Sequence, residues 1–198
     1  MTAPMPDDGR FLEVSVMIDH GHPAIRRLAA ELADGTTDVE QVAERCFEWV
    51  RDRIRHSVDY QMNPVTCRAS DVLLHGTGYC YAKSHLLAAL LRANGIPAGL
   101  CYQRLTVADG GDGPPYCLHG LNAVYLPRHG WYRIDARGNK AGVDARFTPP
   151  REQLAFAVRA PLESDLPGIY AAPLAAVITA LDPAISWEQV LSALPDHP

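Results

Sequence analysis

The segment Tyr81-Ala-Lys-Ser-His-Leu-Leu-Ala-Ala-Leu-Leu-Arg-Ala93 constrains the fold of this chain more than any other feature. It is dense in strong helix formers, follows His75-Gly-Thr-Gly78, and stops at Asn94-Gly95-Ile-Pro97, where glycine and proline end a helix. A helix this apolar belongs in the interior, so other elements have to cover it. The flanking sequence supplies them. From Pro23 to about Ala33, and from Thr37 to Arg55, apolar residues recur at helical spacing (Ile25, Leu28, Leu32; Val39, Val42, Cys46, Trp49, Val50), with Thr37 or Asp38 as a cap for the second helix. Gly99 to Val107, Leu118 to Leu126 and Trp131 to Asp135 read as strands, the last two around Pro127-Arg-His-Gly130, and together they predict an antiparallel sheet.

The rest of the chain is less regular. Phe11 to Asp19 alternates loosely and predicts a short edge strand. Tyr60 to Ser70, with Pro64, predicts a loop leading to a short helix near Asp71 to Leu74. Ala108 to Pro115 is rich in Gly, Asp and Pro and predicts a mobile flap around Asp112, since no glycine fingerprint opens a helix there to cradle a phosphate. Arg151 to Ala155 and Leu174 to Leu181 predict short helices, and Ser186 a cap for a last one. No internal repeat or flexible linker interrupts this order. The expected architecture is α+β over a single domain, 1–198, with a core from about 39 to 139, a helical extension from about 150 to 198, and extra helices at both ends.

Composition removes several function classes. With 47% hydrophobic and 21% charged residues, neither disorder nor a collagen-like repeat is compatible with the chain. A net charge of −5 gives no electrostatic footprint for nucleic acid or for an anionic membrane, so small molecules or peptides are the expected partners. No apolar run approaches the roughly 18 residues of a membrane span, and Met1 to Arg10, polar with Asp7 and Asp8, resembles no secretory signal; a cytoplasmic location is expected. Five cysteines (Cys46, Cys67, Cys80, Cys101, Cys117) without any CxxC argue for reduced thiols rather than a disulfide framework or a zinc ribbon. A metal site from Cys101, Cys117 and His119 has no paired ligand spacing, so neither metal nor cofactor is expected.

One cysteine stands where chemistry is favoured. Cys80 opens the apolar helix, where the dipole stabilises a thiolate, and Gly76 and Gly78 let the chain turn sharply with its N–H groups free for a developing oxyanion. A thiol nucleophile needs an imidazole to take its proton, and the imidazole needs an acid to orient it. His119 and Asp135, sixteen residues apart on strands joined by a tight turn, can fill these roles. Register decides whether they meet. Pairing Leu126 with Trp131 sets Asn122 opposite Asp135 and leaves His119 and Asp135 on opposite faces; a shift of one residue or a bulge brings them together. The other histidines are expected to be structural or solvated: His20, His22 and His75 in turns, His56 after an Arg-rich helix, His129 at a hairpin tip, and His85 turned away from Cys80 on its helix.

Gly78-Tyr-Cys80, the helix ending Leu90-Leu-Arg-Ala-Asn-Gly-Ile-Pro-Ala98, His119 before a strand, and Trp131-Tyr-Arg-Ile-Asp135 after a turn resemble, in order and spacing, the three motifs of the transglutaminase-like superfamily of papain-related cysteine enzymes. The likeness covers about Val39 to Asn139. It implies Cys80 as nucleophile, His119 as base and Asp135 as orienting acid, in an α+β fold with the cysteine helix packed on an antiparallel sheet. In such enzymes the second oxyanion donor lies upstream of the cysteine, where Tyr60 or Gln61 could supply it. Family members commonly carry a tryptophan two residues after the histidine, whereas this chain has Leu121.

The expected activity is a cysteine hydrolase, a protease or amidase acting on a peptide, protein or small amide. Acyl transfer of transglutaminase or N-acetyltransferase type is the alternative, followed by an inactive binding module of the same fold. Calcium-dependent crosslinking enzymes are much longer and carry β-sandwich domains, and no EF-hand-like acidic loop is present here. Arylamine N-acetyltransferases, similar locally, also need a longer chain. Retention of Cys80, His119 and Asp135 argues against the inactive module.

Overall fold

The computed structural model describes residues 9–107 and 113–197. Thirteen of the fourteen residues of one helix, Cys80–Ala93, are buried, and the fold is arranged around it. In chain order the elements are α1 (Pro23–Ala33), α2 (Val39–Arg53), β1 (Arg55–His56), α3 (Ser57–Tyr60), α4 (Ala69–His75), β2 (Thr77–Gly78), α5 (Cys80–Ala93), β3 (Ala98–Thr106), β4 (Tyr116–Leu126), β5 (Gly130–Ile134), β6 (Ser164–Asp165), α6 (Ala175–Leu181) and α7 (Trp187–Ser192). Helices α1, α2 and α4 pack on one side of α5, and strands β3 and β4 on the other. Leu86, Leu87, Leu90 and Leu91 of α5 are fully buried between them, each worth about 1.5–3 kcal/mol of transfer from water. Asp38 caps α2 through its carboxylate on the Glu40 N–H, and Asn94 and Gly95, with Gly95 at φ 70°, end α5.

Two charged residues of α5 are buried with partners. Lys83 donates from Nζ to the Ile54 and Arg51 carbonyls, satisfying acceptors that the end of α2 leaves open. Burial pushes its amine down to about 7. Arg92 donates to the carbonyls of Ala98, Glu13 and Ala171 and so ties three separate segments to the helix.

The main sheet has the order β5-β4-β3-β6, antiparallel throughout, and a two-residue parallel pair joins β1 to β2. Asn122 of β4 donates to the Ser84 carbonyl, locking the sheet to α5.

Three local expectations change. Phe11 to Asp19 forms no strand: a 3-10 turn covers Arg10–Leu12, Ser15 and Ile18 close a turn on each other, and Val14 and Val16 face solvent. The Glu13 carbonyl that a ladder would use is held by Arg92 instead. Arg151 to Ala155 is extended rather than helical, because the Ala155 N–H is directed to Asp135 and Gln153 bridges to Arg146. Beyond residue 150, helices occupy Ala175–Leu181 and Trp187–Ser192, while Ser164–Asp165 returns to the sheet as its edge strand β6. The flap expected around Asp112 lies outside the described residues. Among the described residues no helix is long and apolar enough to cross a membrane.

Candidate active site

Cys80 is the first residue of α5, where N–H groups lack intrahelical acceptors and the helix dipole favours negative charge. The chain reaches it through β2, whose Gly78 lies beside His56 of β1. A Cβ on Gly78 would come within 3.1 Å of both Ala82 Cβ and Thr66 Oγ1, so glycine lets the approach pack tightly.

The register that the sequence leaves open is set at the hairpin. Leu126 pairs with Gly130, not with Trp131. The His129 N–H closes a turn on the Leu126 carbonyl, and Gly130 follows at φ 76°, a conformation glycine adopts without a Cβ penalty. Asn122 therefore faces Ile134, and Asp135, one residue past β5, comes level with Leu121 on the same face as His119. His119 Nε2 lies 2.8 Å from Asp135 Oδ2.

His119 and Cys80 line the same cavity, and the sulfur is close enough to act on the charge of the imidazole. The Gly120 N–H points at the sulfur from 3.4 Å. Burial opposes a charged imidazole, but the Asp135 carboxylate and the Cys80 sulfur outweigh it and raise the His119 pKa to about 10. Asp135 has no solvent exposure, which by itself favours the neutral acid. The charge and hydrogen bond of His119, with the N–H groups of Arg137 and Ala155 at 3.1 Å each, reverse this and hold its pKa below the usual carboxylate value. Phe156 packs edge-on against the His119 ring, with centroids 5.0 Å apart.

Cys80 and His119 line a cavity of about 570 Å³. Its apolar wall comes from Val58, Leu105, Leu118, Phe156, Leu191 and Leu194. On the opposite side Asp59 accepts from both Arg137 and Lys140; burial disfavours its charge, but these two cations hold its pKa down to about 2.

Tyr60 and Gln61, expected as oxyanion donors, do not line this cavity. Gln61 takes a left-handed conformation that ends α3, and both side chains stand at the surface, with the Arg55 guanidinium over the Tyr60 ring. His56 is buried rather than solvated, 8% exposed on the cavity wall and edge-on to Tyr79. Its Nδ1 is buried without a hydrogen bond, 3.8 Å from Asp59. Burial, then the Arg137 charge, push its pKa well below the ordinary imidazole value, so it is neutral. A two-residue strand has no periodicity, which is why the sequence concealed it. Leu121 is buried with Cys101 and Ala123 and does not line the cavity. His85 is fully buried with Nδ1 2.7 Å from the Cys67 carbonyl, a structural partner. Among the described residues no group of three or more His, Cys, Asp or Glu is arranged to hold a metal ion.

Burial pushes the thiols of Cys46, Cys67, Cys101 and Cys117 up to about 12, which keeps them protonated near neutral pH. Iodoacetamide at that pH is expected to alkylate Cys80 first, as read by mass spectrometry of partially labelled protein. Modification of Cys117, also on the cavity wall, ahead of Cys80 would contradict the arrangement.

A family model described as the transglutaminase-like superfamily matches residues 26–136. Among solved structures, a protein of Cytophaga hutchinsonii described as a "Putative Cysteine Protease" is similar at 20% identity and a TM-score of 0.55, over 85% of this chain and 55% of that one. The periplasmic domain of TgpA from Pseudomonas aeruginosa is similar at 23% identity and a TM-score of 0.50, over 67% of this chain and 48% of that one. The chain thus spans about half the length of these two relatives in structure, and the likeness is one of fold. No curated protein matches it by sequence.

Proposed function

This chain belongs to the transglutaminase-like superfamily, and from that premise we propose that it is a cysteine hydrolase acting on an amide or peptide through an acyl-enzyme on Cys80. One observation supports the reading: His119, held by the Asp135 carboxylate at 2.8 Å, and Cys80 at the start of α5 line one substrate-sized cavity.

In this reading the Cys80 sulfur attacks the substrate carbonyl carbon while its proton resides on His119. The oxyanion is met by first-turn N–H groups of α5, that of Cys80 included, and by the neutral His56 ring in the role expected of Tyr60 or Gln61. Collapse breaks the C–N bond, and His119 gives its proton to the departing amine. Water, deprotonated by His119, then attacks the thioester, releasing the acid and restoring the thiol. Asp135 holds the ring in one orientation and stabilises its charge throughout.

Acid quenching during turnover of an amide or ester library is expected to trap an acyl adduct on the peptide containing Cys80, with the free acid as product. Turnover accompanied by an adduct on another residue, or by none, would overturn the assignment.

A further inference from the structure

Ahead of His119 the edge of β4 is occupied by a distant part of the chain. β5 pairs with β4 only from Asn122 to Leu126, so the preceding stretch of β4 has one side outside the ladder. There the Leu118 N–H donates to the Pro195 carbonyl at 2.6 Å, one residue before His119. The next side chain, Asp196, takes the Arg104 guanidinium with both oxygens, at 2.7 and 3.0 Å. Arg104 sits cross-strand from Leu118, its guanidinium 3.8 Å from the centre of the Tyr116 ring. Just upstream, Leu191 and Leu194 enter the Cys80 cavity.

Upstream, α7 is anchored by the buried Val190 and by Trp187, whose carbonyl accepts from the Tyr79 hydroxyl and whose N–H donates to Asn63; the ion pair at the far end is open to water, with Arg104 26% and Asp196 35% exposed in their side chains. An exposed pair of this kind adds about 0–1 kcal/mol. A backbone bond from a strand edge, apolar side chains in an adjoining cavity and a planar cation for a carboxylate are the elements by which a sheet edge recognises an extended peptide.

We propose that the β4 edge at Tyr116–Leu118, with Arg104, is the peptide-docking site of this protein, that it selects an extended chain bearing an apolar residue and then an acidic one, and that Leu194–Asp196 occupies it in cis. The inference rests on the cysteine-hydrolase reading in one respect: a peptide docked here has its backbone beside His119 and Cys80, which makes acidic peptides the substrate class. Arg104 is then a specificity residue that touches the substrate side chain and takes no part in bond breaking.

The test uses the full chain and a fluorescent synthetic peptide copying residues 190–197, alongside a version with asparagine at the position of Asp196. Asp196→Asn in the protein frees Arg104, and the acidic peptide is expected to bind it about five-fold more tightly than it binds the unaltered protein, since a competitor held by a weak ion pair is weakened. The asparagine peptide should bind less well, and adding Arg104→Gln should abolish the difference between the two peptides. The exchanged pair Arg104→Asp with Asp196→Arg should restore the cis contact and remove selection for the acidic peptide. Circular dichroism and a melting curve on each variant show that the fold is kept. Equal binding to unaltered and Asp196→Asn protein, or no discrimination between the peptides, would overturn the docking site. Binding is read without turnover, so selective binding with no hydrolysis of any peptide would leave the docking edge standing and remove the hydrolase reading. Hydrolysis without selective binding would do the reverse.

Discussion

Replacement of Cys80 by alanine is expected to lower turnover by at least about 10⁴-fold, because the other thiol on the cavity wall, Cys117, is kept protonated by burial. The fold should survive. The sulfur is a small buried group at the margin of the core that accepts from the Gly120 N–H at 3.4 Å. Its removal costs on the order of 1 kcal/mol, the scale of a single weak hydrogen bond and a small void. Cys80→Ser keeps an acceptor in front of Gly120 but replaces the thiol with a far weaker acid, so it too should lose most of the rate while melting close to the unaltered protein. Steady-state kinetics together with melting curves read both variants. Full-rate turnover in Cys80→Ala would remove the nucleophile assignment, and with it the acyl-enzyme.

The second large effect is expected from Asp135→Asn, at about 10²–10⁴-fold in kcat. Three donors converge on the carboxylate: the His119 ring at 2.8 Å and the N–H groups of Arg137 and Ala155 at 3.1 Å. An asparagine presents one acceptor oxygen and turns an NH₂ toward at least one of these donors, which costs about 1–3 kcal/mol for the unsatisfied group. It also removes the largest influence that raises His119, leaving burial to lower it.

The alkaline limb of the rate, which should lie toward the raised His119 pKa of about 10, is therefore expected to move to lower pH in the variant. Stability follows the same groups. His119 has a folded pKa above its unfolded one, so its contribution is complete below about 6.5 and is lost as pH rises through about 10. Asp135 has a folded pKa below its unfolded one, so its contribution is present above about 3.9 and is lost as pH falls through the lowered value. The stability gap between the unaltered protein and Asp135→Asn should be widest between about pH 4 and 6.5 and should narrow on both sides. Urea unfolding at a series of pH values reads the gap. A gap that does not vary with pH would show that the two groups share no charge interaction.

The sequence by itself determined the elements whose causes are local. The run from Tyr81 to Ala93 contains its own helix formers and its own stop at Asn94-Gly95-Ile-Pro97, so the helix, its burial and the position of Cys80 at its start followed from neighbouring residues alone. The same holds for β3, β4 and β5, and for the motifs that resemble the family whose model matches residues 26–136. Propensity and periodicity act over a few residues, and these segments are long enough to express them.

Tertiary structure alone decided which of these residues meet. His119 and Asp135 share a face because the hairpin closes on Gly130, and a slip of one residue would have turned them apart. His56 belongs to the cavity because a two-residue strand pairs with β2, while Tyr60 and Gln61, equally near in sequence, turn away at the end of α3. The Phe11–Glu13 segment gives up its ladder to a guanidinium 79 residues away, and Pro195 reaches Leu118 across a similar separation. These are contacts between segments that no local pattern links: each depends on where the packed core carries the backbone, and a single residue of register or one left-handed turn is enough to send a side chain to the other side.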